Sequence, residues 1–282
     1  MIEGLLALAL ATALPLGVRH AVAGLAGERA ALRARPVGLV MAIVIALAIL
    51  ALALPRGPVP AALSVPWLAF VVGVGGWALG HSVRHATPHQ ADRPSAMDSS
   101  ALGILASLGF LAIGAGWLVL DRAGAEPLGF GPTIVQLTAV HFHVAGFVLT
   151  LAGSLAVGAP PRPGIRLAIL ALVLGIPATA LGFLGVPGAS LAGALLVGGA
   201  GIVIGITLIA IARGGVAGNG GTRLLGLGGA TLLLTMPLAA GYAIGSAFRI
   251  PFLDVPAMAA THGTLNVVGF AIPTMIGWRT AR

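Results

Sequence analysis

Cysteine and lysine are absent from this chain of 282 residues, and only seven residues are acidic. The lack of cysteine excludes disulfides and thiolate metal sites. Charged residues make up 8% of the sequence, whereas an average soluble domain contains about 25%. The hydrophobic fraction is 58% and the mean hydropathy is +1.07. Such a composition indicates that lipid, rather than water, surrounds most of the surface.

Long apolar runs fill most of the chain. A transmembrane helix needs about 20 apolar residues at a rise of about 1.5 Å each. By this criterion the sequence predicts an all-α, polytopic helix bundle in the plasma membrane, with about nine spans in a single transmembrane domain over 1–282. The first run carries Glu3 and lacks a basic leader, which favours an uncleaved first helix. The predicted spans lie near 2–18, 37–55, 60–83, 101–120, 132–157, 166–187, 189–212, 224–247 and 256–278.

All 15 basic residues are arginines, and they fall between the apolar runs rather than in one basic patch. Twelve lie in alternate loops that include Arg19 and the C-terminal Arg282, whereas Arg56, Arg122 and Arg249 lie in the other set. Because arginine accumulates in cytoplasmic loops, this asymmetry predicts an N-terminus outside the cell and a C-terminus in the cytoplasm. The net charge of +8 is therefore interpreted as a membrane pattern and not as a nucleic-acid surface.

Polar residues at membrane depth are few, and they concentrate in two spans. The fifth span carries Gln136, His141 and His143, and the ninth carries His262 and Asn266. Ionisable groups are costly inside a membrane and usually face the interior of the bundle. Both spans enter from outside in the predicted orientation, so these side chains are expected to share one pocket in the outer-to-middle layer. Four further side chains are predicted to belong to the same pocket: Trp117, Asp121, Tyr242 and Asp254.

Side-chain direction decides which of these residues can meet. His141 and His143 are separated by about 200° around an α-helix, so they point to nearly opposite sides. One of them is expected to enter the pocket and the other to bond a neighbouring helix. Gln136 shares a face with His143, and His262 and Asn266, four residues apart, share another. A structural role as interhelical hydrogen-bond partners is the alternative for the whole set.

The two spans that carry these residues also resemble each other. Thr138-x4-His-Val-Ala-Gly-Phe147 in the fifth span aligns with Thr261-x4-Asn-Val-Val-Gly-Phe270 in the ninth. Both segments run the same way through the predicted membrane. This similarity raises the hypothesis of an internal duplication.

The segments His141–Phe147 and Thr261–Phe270, together with the multi-helix layout, resemble the YndJ-like family of bacterial membrane proteins. That family is sometimes labelled a transporter. The resemblance implies that four residues belong to the shared core of the family: His141, His143, His262 and Asn266.

His-Phe-His also looks like the haem-ligating segment of haem–copper oxidases, in which two histidines on opposite helix faces serve different metals. The other motifs of that family, a His-Pro-Glu segment and a His-His pair, are absent here. No cofactor is therefore predicted, and haem or metal binding through His141, His143 or His262 is kept as an alternative.

The preferred functional hypothesis is a membrane enzyme that acts on a hydrophobic, lipid-like small molecule, for example an isoprenoid, by acid–base chemistry such as cyclisation or isomerisation. A carboxyl group in a low dielectric can donate a proton. Asp254 lies between two prolines, where it is either a helix N-cap or a proton donor of the site. A small-solute transporter is the second hypothesis, since kinked helices and midplane polar groups also fit it. The catalytic candidates are Asp254, His262, Asn266, His143 and His141, and the substrate-binding candidates are Gln136, Asp121, Tyr242 and Trp117.

Overall fold

A computed structural model describes residues 1–27, 35–85, 99–157, 164–214 and 219–280. Every regular element within these ranges is helical, which confirms the all-α prediction. A short 3₁₀ helix, Pro127–Gly129, precedes the sixth of the longer helices. In chain order the longer helices are α1 Ile2–Ala11, α2 Ala13–Ala26, α3 Arg35–Ala53, α4 Pro58–His85, α5 Ser99–Ala123, α6 Pro132–Ala156, α7 Ile165–Phe183, α8 Ala189–Arg213, α9 Asn219–Phe248 and α10 Val255–Thr280.

These helices account for the predicted membrane spans. Among the described residues, the seven helices from α4 to α10 are each long and apolar enough to cross a membrane. The bent pair α1 and α2 passes the same test when taken together, and the apolar part of α3, Val37–Ala53, is shorter. The chain is therefore a polytopic membrane protein whose helices follow the predicted runs to within a few residues at most ends. Its orientation in the membrane stays a prediction.

The first span differs most from its prediction, because the helix does not end near residue 18. It breaks at Thr12 and continues as α2 to Ala26, with a bend of 44° between the two parts. Pro15 has no backbone N–H to offer the carbonyl of Ala11, and its ring crowds that carbonyl, so a continuous helix is disfavoured there. Proline is tolerated in the first turn of a new helix, which is where Pro15 lies in α2.

The chain divides into two compact units, and the boundary falls inside α6. The N-terminal unit is Ile2–Leu151, and the C-terminal unit is Ala152–Arg282 together with Met1. The prediction of a single domain over 1–282 stays a prediction.

Glycines allow close helix contacts within the N-terminal unit. A Cβ atom at Gly146 of α6 would lie 2.8 Å from the Cβ atom of Phe110 in α5. A Cβ atom at Gly17 of α2 would lie 2.7 Å from the ring of Phe147. Small residues at such positions let helices approach closely, and packing rather than hydrophobicity joins helices in lipid.

In the C-terminal unit, glycines meet one another across three helix pairs. In each pair, a Cβ atom added to one glycine would lie 2.5–3.2 Å from the carbonyl oxygen of the other glycine. These contacts join α7 to α8, α8 to α9 and α9 to α10, so the four helices of the unit pack in sequence with backbone against backbone. The pairs are Gly175 with Gly193, Gly205 with Gly229, and Gly221 with Gly277.

Candidate functional site

The two spans that carry the intramembrane histidines depart from α-helical geometry. In α6 the segment Phe142–Leu149 is a π-helix, and in α10 the segments Ala259–Gly263 and Leu265–Ala271 are π-helices. These three are the π-helical segments of the described chain. A π-helix has wider turns than an α-helix and occurs frequently at functional sites. The widened turns contain His143, His262 and Asn266, whereas Gln136 and His141 lie in the α-helical turns just before the first of them.

The internal similarity between the spans extends to their local structure. Thr138 and Thr261 each donate a side-chain hydrogen bond of 2.7 Å to the carbonyl four residues earlier. The glycines at the next matched position, Gly146 and Gly269, each lie against the preceding long helix of the same unit. The matched polar residues, His143 and Asn266, are both buried. These shared features support the duplication hypothesis.

In the C-terminal unit, three residues form a closed hydrogen-bonded ring between α9 and α10. The Nδ1–H group of His262 donates to the main-chain carbonyl of Thr235 (3.0 Å). The hydroxyl of Thr235 donates to Oδ1 of Asn266 (3.1 Å). The ring closes where Nδ2 of Asn266 donates to the main-chain carbonyl of His262 (2.8 Å). Asn266 and Thr235 are buried, and His262 is partly exposed.

This ring sets the tautomer of His262. A carbonyl oxygen only accepts, so the proton lies on Nδ1 and the lone pair of the neutral ring lies on Nε2. The bond to Thr235 also fixes the plane of the imidazole. The arrangement fixes the orientation of a partly exposed histidine within the apolar helix α10.

Asp254 serves as the N-cap of α10. Its backbone is extended (φ −74°, ψ 173°), and its Oδ1 accepts a 2.8 Å hydrogen bond from the main-chain N–H of Ala257. Pro256 lies in the first turn, where a missing N–H is harmless. The carboxylate is exposed. Capping is thus an observed role of Asp254, whereas its role as a proton donor stays a prediction.

In the N-terminal unit, His143 lies at the centre of the packing and is fully buried. Trp67 of α4, also fully buried, donates its indole N–H to Nε2 of His143 (3.1 Å). Since indole only donates, Nε2 must accept, and Nδ1–H then donates to the carbonyl of Ala139 (2.7 Å). A Cβ atom at Gly114 of α5 would lie 2.8 Å from Nδ1, so α5 covers the ring. Both ring nitrogens of His143 therefore form hydrogen bonds, and the bond from Trp67 links α4 to α6.

Trp67→Phe is expected to lower the free energy of unfolding by about 1–3 kcal/mol, because it leaves Nε2 of the buried His143 without a donor. The larger part of this cost is desolvation, since phenylalanine retains most of the apolar contact area. The measurement is unfolding of the purified protein in mixed micelles titrated with SDS. Trp77→Phe is the matched control, because Trp77 of the same helix is 39% exposed. Equal losses for the two variants would contradict the role assigned to the Trp67–His143 bond.

The neighbouring histidine points the other way. His141 is exposed, and its Nδ1–H donates to the carbonyl of Leu137 in its own helix (2.7 Å). The two histidines therefore lie on different faces, in agreement with their spacing. Gln136 is partly exposed one turn and a half earlier. In the same unit the ring of Trp117 lies 6.4 Å from that of Phe130.

A charge cluster ties together three parts of the N-terminal unit. Asp121, at the end of α5, is 2% exposed and accepts from Arg56 (2.7 Å) and from Arg122 (2.6 Å). Arg122, 1% exposed, also donates to Glu3 of α1 (2.6 Å) and, more weakly, to the carbonyl of Leu54 (3.4 Å). Two carboxylates thus balance two guanidinium groups. The cluster joins the start of α1 to the α3–α4 connection and the end of α5, which places these parts at one end of the unit, as alternating spans require.

The structure assigns the sequence-predicted residues to two separate sets. Gln136, His141, His143, Trp117 and Asp121 belong to the N-terminal unit. Tyr242, Asp254, His262 and Asn266 belong to the C-terminal unit. Tyr242 is partly exposed on α9. A single pocket containing both sets stays a prediction.

Four residues that the sequence did not single out as site residues take part in these arrangements: Arg122, Arg56, Trp67 and Thr235. The two arginines had entered only the topology count. Trp67 follows Pro66 inside an apolar run, and Thr235 lies four residues after Thr231 on one face of α9. Thr231 donates across to the carbonyl of Gly269 in α10 (3.0 Å). The spacing of the two threonines by one helical turn could therefore have indicated a polar stripe on α9 that faces a neighbouring helix.

Within the described residues no group of three or more His, Asp or Glu side chains is arranged to hold a metal ion. Haem or metal binding through His141, His143 or His262 stays the alternative to the prediction of no cofactor. In the conformation described, His143 would have to give up the bond from Trp67 before Nε2 could serve as a ligand.

Comparisons with known proteins agree with the layout of the chain. A curated relative, the uncharacterized membrane protein YndJ of Bacillus subtilis (strain 168), is 27% identical over 176 residues, which cover 62% of this chain and 32% of the relative. The alignment thus spans about a third of that relative's length. No solved structure matches. The family model described as YndJ-like protein matches residues 4–270. The chain therefore belongs to the YndJ-like protein family.

Proposed function

We propose that this membrane protein is an enzyme that isomerises an apolar, lipid-like molecule by proton transfer, with His262 as the group that accepts the proton. The observation that carries the proposal is the bond from Nδ1–H of His262 to the carbonyl of Thr235, which fixes the plane of the imidazole and makes Nε2 the basic nitrogen of the neutral ring. General bases of this kind need orientation as well as basicity.

Asn266 and Thr235 act as positioning residues in this proposal. Asn266 donates from its side-chain amide to the main-chain carbonyl of His262. Thr235 binds Asn266 through its hydroxyl and the imidazole of His262 through its main-chain carbonyl. The π-helical turns on both sides of Thr264 widen the helix at this point. The wider turn and the closed ring together favour one orientation of the imidazole.

The proposed reaction balances without a second titratable group. Nε2 removes a proton from a carbon next to a carbonyl or a double bond, and the electron pair shifts along the substrate. The imidazolium exchanges its Nε2 proton with water and then delivers a proton to a different carbon, so the substrate gains one solvent proton for the one it lost. Isomerisation is preferred over cyclisation because the two predicted carboxyl donors are engaged elsewhere, Asp121 by two arginines and Asp254 by the start of α10.

Deuterium exchange tests this proposal without knowledge of the substrate. Membranes containing the wild-type protein, incubated in heavy water and extracted, are expected to yield a lipid-soluble compound with deuterium bound to carbon. His262→Gln is expected to abolish this label, because glutamine can still donate to the carbonyl of Thr235 but cannot carry the proton. The measurement is mass spectrometry of the lipid extract.

His81→Gln is the control, since His81 stacks on Trp77 in α4 (5.4 Å between ring centroids), outside the Thr235–His262–Asn266 ring. It is expected to retain the label. Label that persists in His262→Gln, or that is lost equally in both variants, would overturn the assignment.

A small-solute transporter is the second candidate, and the helix interruptions favour it. Pro66, Pro177 and Pro237 lie inside α4, α7 and α9, in addition to the π-helical segments. Interrupted helices with polar groups near the membrane midplane are common in transporters. In sealed proteoliposomes a proton-coupled transporter would acidify the interior in response to an added solute, and it would label no lipid in heavy water.

A further inference from the structure

An apolar groove with a basic end runs between α8 and α9 of the C-terminal unit. Its volume is about 460 Å³, and its walls are Ile206, Ile209, Ala210 and Leu233, with Arg213 at one end. Ile206 is 54% exposed and Leu233 37% exposed, so the groove opens sideways on the helix pair. Seven residues separate Ile206 from Arg213, which makes the groove about 10 Å long.

The position of Arg213 indicates what the groove accepts. Arg213 is the last residue of α8 and is exposed. Neighbouring α9 approaches α8 here, since a Cβ atom at Gly226 would lie 3.5 Å from Cβ of Ala212. Arg223, also exposed, lies one turn before Gly226 and so at the same end of the pair. The three ion pairs of the described residues all lie in the N-terminal unit, so neither arginine has a carboxylate partner among them.

We propose that this groove binds one anionic phospholipid. The acyl chain lies against Ile206, Ile209 and Leu233, and the phosphate binds the guanidinium of Arg213, with Arg223 beside it. An arginine at the end of a membrane span lies at the level of the headgroups, where phosphate is the abundant anion, and planar guanidinium binds phosphate through two parallel hydrogen bonds. Basic sites between membrane helices on the cytoplasmic side are known to hold anionic lipids. Arg213 lies on that side in the predicted orientation.

The proposal combines two independent features, an open apolar groove and, at its end, an arginine with no carboxylate partner among the described residues. The walls alone would accept any acyl chain. Arg213 alone would attract any anion. Their continuity selects a molecule that carries both an acyl chain and an anionic phosphate headgroup.

The test uses the purified full chain in detergent, titrated with phosphatidylglycerol or phosphatidylcholine and followed by native mass spectrometry. Wild type is expected to retain one phosphatidylglycerol more tightly than phosphatidylcholine. Arg213→Gln is expected to weaken the binding of phosphatidylglycerol about fivefold, as removal of one arginine near a lipid phosphate implies. The binding of phosphatidylcholine is expected to weaken less, because the positive charge of choline already opposes the arginine. Ala210→Trp, which fills the groove, is expected to weaken the binding of both lipids.

Arg249→Gln is the control, since Arg249 is exposed at the other end of α9, and it is expected to bind both lipids as wild type does. Glycerol phosphate, the headgroup without acyl chains, separates a lipid from a free anion. If it competes as well as phosphatidylglycerol, the site is an anion site and the lipid proposal is wrong. Equal binding of the two lipids by wild type, or an unchanged Arg213→Gln, would also overturn it.

Discussion

Asp121→Asn is expected to lower the free energy of unfolding by about 3–5 kcal/mol, because it leaves Arg122 buried without its buried counter-ion. Arg122 is 1% exposed, and its Nε and Nη2 atoms lie 2.9 and 2.6 Å from the same carboxylate oxygen of Asp121. Asparagine keeps the size of the side chain but removes the charge. The remaining acid, Glu3, is 44% exposed and bonds a single Nη atom.

A double-mutant cycle separates charge pairing from packing in this cluster. Arg122→Gln alone should also be costly, since it removes a charged partner from a carboxylate that is 2% exposed. The double variant Asp121→Asn with Arg122→Gln should recover much of the loss, because no uncompensated charge between these two residues is left buried. Unfolding in SDS titrations supplies the free energies.

Glu3→Gln is the comparison for this cycle, and it is expected to cost less than Asp121→Asn, because Glu3 is 44% exposed and Arg122 keeps its buried partner Asp121. Additive losses in the double variant would mean that the two residues contribute through packing alone. A single variant Asp121→Asn as stable as wild type would contradict the cluster's role altogether.

The cluster also explains the arginine pattern read from the sequence. Two of the three arginines on the predicted outer side, Arg56 and Arg122, are neutralised by Asp121 and Glu3. An acid in the last turn of a helix is unfavourable to the helix dipole, and in α5 the two guanidinium groups offset this effect at Asp121.

The spans were predictable because each needs only a local property, an apolar run of sufficient length. The ends of α4 to α10 follow the predicted runs because glycines, prolines and arginines interrupt hydrophobicity there. The first span was misjudged because Arg19 and His20 ended the apolar run, although α2 continues with His20 buried. Whether a polar residue is buried depends on which residues pack against it, and hydropathy carries no information about those contacts.

The site was only partly predictable, for a related reason. Helical spacing correctly separated the faces of His141 and His143 and paired His262 with Asn266. The partners on other helices, Trp67 and Thr235, could not be found this way, since a hydrogen bond between helices depends on their relative rotation and height. The π-helical segments could not be predicted either, because no extra residue in the hydrophobic pattern of the sequence indicates a wider turn.

Gly229→Ala is expected to lower the free energy of unfolding by about 1–3 kcal/mol or more, although alanine is the better helix former. The added Cβ atom would lie 2.5 Å from the carbonyl oxygen of Gly205 and 2.8 Å from Cγ1 of Ile209. Because the first contact is with backbone, α8 and α9 must separate to accommodate a single methyl group. Separation would also loosen the contacts that α9 makes through Thr231 and Thr235 with α10.

Gly226→Ala, one turn earlier on α9, is the matched control for this substitution. Its Cβ atom would lie 3.5 Å from that of Ala212, an ordinary van der Waals distance. Here the gain in helix propensity of up to about 1 kcal/mol should appear without a steric cost. The two variants are therefore expected to shift the SDS unfolding midpoint in opposite directions. If both stabilise the protein, the close backbone contact between α8 and α9 is not part of its fold in the membrane.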